Sequence, residues 1–330
     1  MSATRDTLDR RIRHAPPQPG ERYRLVEDLD IPALAALGRH RVLSTPLLSH
    51  FTGRDHYNTD QRRFKQLYNG YCADPDCTPD NPKEHEHDLI SHLARLHEQF
   101  NHIDYLKHDL VHSLTPYAQK ELKNLGIPCL PTGGWFEHQL MGGFIGGSFE
   151  ILAADHNLHY LSNFDLGVEK LTLPLRDATQ EELRHQRDTG QRPDIPKVIP
   201  DALFALLYSN GKKRVFARED DRGTESVEGK QLEATYIGKK LLNWIEVLRA
   251  RRYKDVWGVD GLMIMVPVVD PRRATALMAK LKEYDERYAG HFIFKDFPQF
   301  GKHWYIPKDV LKDVYEPWVS YRGPFDITKP

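Results

Sequence analysis

Residues 201–221 constrain the fold of this chain more than any other stretch. The apolar run Leu203–Tyr208 is followed by Ser209-Asn210-Gly211-Lys212 and then by Lys213–Glu219. Asn-Gly between two apolar runs is a strong hairpin signal, because both residues tolerate the left-handed backbone that a tight turn needs. Antiparallel pairing places the start of one strand beside the end of the next, so Asp201 is expected near Glu219. The two-residue period of a strand puts Glu219 and Asp221 on one face. Three such carboxylates repel unless a cation neutralises them. Oxygen-only donors suit Mg²⁺ or Mn²⁺ better than zinc, and a metal there would polarise a phosphate and help generate hydroxide. The same residues admit a purely structural reading. Asp221-Arg222-Gly223-Thr224 also reads as a turn in which Gly223 takes a positive φ, Asp221 caps it, and Arg222 pairs with Glu219 or Glu225.

Around this hairpin the pattern alternates between helix and strand. Trp135–Ala154 reads as a helix despite Gly142-Gly143 and Gly146-Gly147. Each glycine costs about 1 kcal/mol against alanine in a helix, which points to close packing against a neighbour. A short strand at Leu158–Leu161 follows, then a polar, proline-bearing stretch at 174–199 with one small helix near Glu181–Arg187. Beyond the hairpin come a helix Tyr236–Arg251, a strand Gly261–Val269, a helix Arg272–Tyr288 and a strand His291–Phe294. From residue 135 the order is therefore α-β-β-β-α-β, then α-β.

The N-terminal part has a different character. Residues 1–30 read as a flexible arm, with prolines at 16, 17 and 19. A helix from Ile31, with Pro32 in its first turn and Gly38 as its terminator, precedes the cap Ser44-Thr45-Pro46 and a short helix Leu47–Phe51. After Gly53 a third helix spans Asp60–Asn69, with Phe64, Leu67 and Tyr68 inward. Gln61, Arg62, Lys65 and Gln66 lie on the opposite face and Arg63 at its border. Two short helices joined by a glycine-containing turn, the second presenting Arg, Lys and Gln, describe a helix-turn-helix. Arg and Gln are the side chains that read guanine and adenine edges. A helix at Asp88–Phe100, two short strands within Ile103–Leu114 and a helix from Pro116 to Asn124 complete a winged helix. The stretch 126–134 is the expected linker. The expected organisation is an arm at 1–30, a winged-helix unit at 31–130 and an α/β unit at 131–330.

Composition narrows the class. A chain of 330 residues suffices for two domains, and its net charge of −1 gives no bulk attraction for nucleic acid, so DNA contact requires a local patch. No apolar run reaches the roughly 18–20 residues of a membrane helix, and the N-terminus lacks an apolar signal core, so a cytoplasmic protein without a membrane partner is expected. Cys72, Cys77, His85 and His87 offer zinc-type ligands within one polar loop, but the Cys and His spacings depart from the usual ones, and the loop reads as two surface thiols in a His-rich segment. Eleven of the 17 histidines precede residue 113; those at 92, 97, 102, 108 and 112 follow no single ligand spacing. Trp257, Trp304 and Trp318 read as core aromatics. His138, Glu137 and Glu150, on the helix before the hairpin, are candidates for an added ligand. No Walker loop, dinucleotide fingerprint or nucleophile elbow is present.

Pro200-Asp201 followed by Glu219-x-Asp221 resembles the P-D…(D/E)-x-K nuclease pattern, whose core is αβββαβ, a restriction-endonuclease-like fold. The lysine position of that pattern holds Asp221 here. In nucleases of this type the lysine can move to the following helix, where Lys239 and Lys240 stand. Over most of the chain, Pro200-Asp201-Ala-Leu-Phe-Ala-Leu, the string Glu219-Asp-Asp221-Arg222-Gly223-Thr224-Glu225 and Lys240-Leu-Leu-x-Trp244 resemble the replication-relaxation family of bacterial plasmids and mobile elements. That resemblance implies a winged helix followed by a nuclease-like domain, DNA as partner, and a role in plasmid replication, relaxation or transfer. In the active version Asp201, Glu219 and Asp221 hold Mg²⁺ or Mn²⁺ and Lys240 (or Lys239) stabilises the attacking water or the scissile phosphate. The rival expectations are a non-enzymatic DNA-binding accessory factor and a protein–protein module of a relaxosome-like assembly that dimerises through its winged helix.

Overall fold

The structure, a computed structural model, describes residues 27–53, 57–69, 90–92, 111–131, 135–224, 236–301 and 305–330. The chain divides into two compact units. One takes Met1–Ile151 with Tyr305–Leu311, the other Leu152–Trp304 with Lys312–Pro330. None of the described helices is long and apolar enough to cross a membrane. The protein is a mixed α/β molecule with one large mixed sheet.

In the first unit helix α1 (Glu27–His40) leads into strand β1 (Val42–Ser44) and the short helix α2 (Thr45–Ser49). Helix α3 (Tyr57–Asn69), strands β2 (Ile90–His92) and β3 (Val111–Leu114) and helix α4 (Pro116–Asn124) follow. The strands form a small antiparallel sheet in the order β1-β3-β2. Two caps act as their sequence suggests. The Ser44 hydroxyl accepts from the Leu47 amide with Pro46 in the first turn of α2, and Thr115 accepts from the Ala118 amide at the start of α4.

Two expectations change here. Helix α1 runs through Gly38 instead of stopping there, because Gly38 lies against Cys129: a Cβ would stand 2.8 Å from its Sγ. The chain turns instead at Arg41, where φ is 66°. Ile90–His92 is strand and not the expected helix, since pairing Ile90 with Leu114 overrides a leucine spacing that suits either state. Of the two strands expected within Ile103–Leu114 the described part is β3; residues 93–110 lie outside the described residues, as does the arm at 1–26.

Helix α5 (Phe136–Leu152) accounts for its own glycines. A Cβ on Gly143 would fall 1.8 Å from the Val42 carbonyl oxygen, so backbone meets backbone and only glycine fits. One turn on, a Cβ on Gly147 would meet the Leu43 and Leu47 side chains at 3.1 and 3.0 Å. Glu150 closes the contact, its carboxylate accepting from Arg39 (3.1 and 2.5 Å) and lying 2.7 Å from His40 Nε2. By this packing α5 up to Ile151, with residues 126–131 before it, belongs to the first unit.

The second unit is built on seven strands: β4 (Leu158–Ser162), β7 (Ala202–Tyr208), β8 (Lys213–Arg218), β9 (Met263–Val268), β10 (Phe292–Asp296), β11 (Trp318–Ser320) and β12 (Gly323–Phe325). Their order is β12-β11-β10-β9-β8-β7-β4. Pairing is antiparallel from β4 through β7 to β8, parallel from β8 through β9 to β10, and antiparallel again outward to β12. Each parallel step needs a crossover, supplied by α7 (Tyr236–Ala250) with α8 (Arg252–Trp257), and then by α9 (Pro271–Ala289). A two-stranded ribbon, β5 (Leu173–Pro174) with β6 (Lys197–Val198), brackets the capped helix α6 (Gln180–Thr189) between β4 and β7. The hairpin turn is tight: the Tyr208 carbonyl accepts from Gly211 and its amide donates to Lys212, with Gly211 at φ 79°. Phe204 and Phe216 stack at 5.3 Å on adjacent strands, and Trp257 and Trp318 are buried as expected.

Two outcomes follow for the first unit. Gly143→Ala loses about 3 kcal/mol or more of unfolding free energy in urea, while Gly147→Ala, which meets only mobile leucine ends, loses clearly less. Burial alone would raise the Glu150 carboxyl, but the His40 hydrogen bond and the His40 and Arg39 charges hold it at about 2. Its stabilisation is complete above the unfolded value of 4.5 and is lost as pH falls toward about 2. Glu150→Gln therefore removes roughly 3 kcal/mol of stability at neutral pH and flattens the acid limb of an unfolding titration.

Candidate functional site

The site lies where β8, paired with both β7 and β9 over Phe216–Arg218, loses β7. Up to Arg218 the strand pairs with β7, and the Asp201 amide donates to the Arg218 carbonyl at 2.9 Å, which sets Asp201 across from Glu219. Past Arg218 the chain continues along β9: the Glu219 amide donates to Met265 and the Asp221 amide to Pro267, both at 2.9 Å. The ladder thus keeps the period of two through both acids.

Helix α7 brings the counter-charge. Lys240 and Trp244 stand one turn apart on one face. The Lys240 ammonium contacts Glu219 Oε2 and lies 3.7 Å from Asp201 Oδ2. The Trp244 indole donates to Glu219 Oε1 at 2.5 Å. Glu219, 1% exposed, therefore has both oxygens engaged. Burial pushes its carboxyl up to about 8, with the Lys240 charge pulling down and the Asp201 charge pushing further up. Burial alone would lower the Lys240 amine, but the Glu219 and Asp201 charges raise it above the ordinary lysine range. The amine keeps its proton, and the Glu219 carboxyl holds its own well above the ordinary carboxylate range.

The other acids of the string divide. Asp221 does not join Asp201 and Glu219. Arg273, near the start of α9, donates to both of its oxygens, and the Gly223 amide donates to Oδ1 at 3.1 Å with Gly223 at φ 66°. The turn reading holds for this residue, because a buried carboxylate with a bidentate guanidinium partner has no reason to face a second acid. Asp220, unassigned in the sequence reading, offers a carboxylate oxygen within 4.8 Å of one on Asp201, while its amide donates to Asp201 Oδ2 at 2.9 Å. It also pairs with Arg218 at 2.9 Å. Trp244 and Lys240 share the i, i+4 spacing that places both on Glu219, a signal readable in the sequence. Arg273 carried none.

On α3 of the first unit, Gln61 and Arg62 are exposed. Arg63 and Gln66 are half-buried. The Arg63 guanidinium turns inward to the buried Asp30 (2.9 and 2.5 Å) and donates to Gln66 at 3.2 Å, because Asp30 needs a cation. The Lys65 side chain lies outside the described residues, as do Cys72, Cys77, His85 and His87. His112 is buried, 2.9 Å from the Thr45 hydroxyl and against the Phe64 ring.

No family model matches this chain, and no curated protein and no solved structure matches it significantly.

Lys240→Met removes the charge that pulls the Glu219 carboxyl down, so the loss of stability is greatest above about pH 8, where Glu219 would otherwise ionise beside its cation. Adding Glu219→Gln to that variant recovers a large part of the loss, and a double-mutant cycle in urea measures the coupling.

Proposed function

We propose that this chain is a DNA-associated protein whose second unit is a nuclease-like domain directed at the phosphodiester backbone. One observation carries the reading: a protonated lysine from the crossover helix stands beside Asp201 and Glu219, at the point where an antiparallel hairpin becomes a parallel sheet. In the second unit the order β4-β7-β8-α7-β9, with β5, α6 and β6 inserted after β4, supports it as the βββαβ part of the αβββαβ core. The first unit supports a winged helix through its order α1-β1-α2-α3-β2-β3 and its sheet order β1-β3-β2. Gln61 and Arg62 on α3 then make the base and phosphate contacts. The setting, plasmid or mobile-element replication and relaxation, rests on the Glu219–Glu225 string.

Carboxylate oxygens of Asp201 and Asp220 lie within 4.8 Å of each other and would suit Mg²⁺ or Mn²⁺. Such an ion supplies neutralisation of phosphate charge and a more acidic water. The protein's own residues do the rest. Lys240 brings fixed positive charge to a scissile phosphate as water displaces the leaving oxygen. Trp244 and Arg218 hold Glu219 and Asp220 in place. Asp221 and Arg273 fix the turn beyond.

A second reading, a DNA-binding accessory factor without catalysis, draws on the burial of Glu219: Lys240 already neutralises the acids, which is the task a metal would perform.

Supercoiled plasmid incubated with Mg²⁺ or Mn²⁺ separates the two. Nicking by the wild type that Asp201→Ala and Lys240→Ala each reduce at least about 100-fold establishes the enzyme. Duplex binding that weakens steeply with salt and with Arg62→Ala, without nicking, establishes the accessory factor. A chain that self-associates but binds no duplex at low salt overturns both.

A further inference from the structure

Beyond the acids and the lysine, the same face of α7 carries one more group. Tyr236, the first residue of the helix, stands four positions before Lys240 and eight before Trp244, so the three form one ridge. Along it the environment changes from Trp244, fully buried under Glu219, through Lys240 to Tyr236, which is 72% exposed. Lys240 and Asp201 side chains are 18% and 20% exposed, so the polar part of the site reaches the surface at the end where Tyr236 stands. Lys239, beside it, is exposed as well. Single exposed aromatics are ordinary on protein surfaces. A tyrosine that continues the very ridge holding a phosphate-directed lysine has a more specific use. It offers a flat apolar ring on a residue one helical turn along the axis, roughly 6 Å, from Lys240.

We propose that Tyr236 is a base-stacking platform and that the strand presented to this site is single-stranded DNA, an unpaired base lying on the ring while its phosphate meets Lys240 and Lys239. The inference rests on the phosphodiester-directed reading above and adds its substrate class. Paired bases are stacked on their neighbours and closed to such a ring. Unpaired bases gain from it without regard to sequence.

The test uses the full chain and fluorescence anisotropy with labelled oligothymidine and, separately, a labelled duplex. Tyr236→Ala weakens oligothymidine binding at least about fivefold, the lower end of what loss of one base–aromatic stack produces. Tyr236→Phe binds it within about twofold of wild type, because the ring and not the hydroxyl makes the contact. Neither change moves duplex affinity. Tyr236→Ala binding oligothymidine as tightly as wild type overturns the inference, and so does Tyr236→Phe losing as much as Tyr236→Ala. If duplex binding persists in either case, only this inference fails. If the wild type binds neither DNA, the DNA-associated reading fails with it.

Discussion

The buried pair of Glu219 and Lys240 is the interaction on which the second unit depends. A carboxylate that is 1% exposed is very costly to hold in apolar surroundings unless its charge is matched or its proton retained. Glu219 sits there because β8 must leave β7 and follow β9, and at that junction its side chain is aimed beneath the crossover helix. The helix answers with an ammionium and an indole N–H from consecutive turns. Register, helix phase and charge are thereby coupled: a slip of one residue in the hairpin would turn Glu219 to the other face and leave Lys240 and Trp244 without a partner.

A second constraint of the same rank governs the first unit, and it is steric. Helix α5 crosses β1 so closely that a single methyl at 143 would overlap a carbonyl oxygen. The helix gives up intrinsic propensity at four glycines and gains backbone-level contact with β1. The Glu150 pairing with Arg39 and His40 then fixes its rotation. An ion pair of this kind tolerates partial exposure, whereas the Gly143 contact tolerates nothing larger than hydrogen.

How much was legible follows from which forces are local. The hairpin, its turn, the caps at Ser44 and Thr115 and the main elements from α5 to β10 are written in short-range patterns, and the structure places them within a residue or two of the expected bounds, while the ribbon strands β5 and β6 and helix α8 are not written there. Mixed α/β character follows from them. Non-local events were not legible. Strand β2 exists because β3 is there to pair with it, and the leucine spacing around it suits a helix equally. Strands β11 and β12 are three residues each and join the sheet by edge pairing alone. At the site, the proximity of Asp201 and Glu219 and the participation of Lys240 could be read from register and helix order. The fate of Asp221 could not, since it is decided by Arg273, 52 residues further along the chain.

Asp221 shows why a motif position and a chemical role are different things. By strand period it faces the same way as Glu219, so pattern alone assigns both to one site. What separates them is the cation each meets. Glu219 meets a lysine, a compact charge on a flexible stem that can share itself between two carboxylates or yield to a phosphate. Asp221 meets an arginine, whose planar fork occupies both oxygens of one carboxylate and leaves neither for a metal. The first arrangement is adjustable and the second is closed. The end of β8 carries one of each, two residues apart, and of the two only Glu219 shares its cation with Asp201.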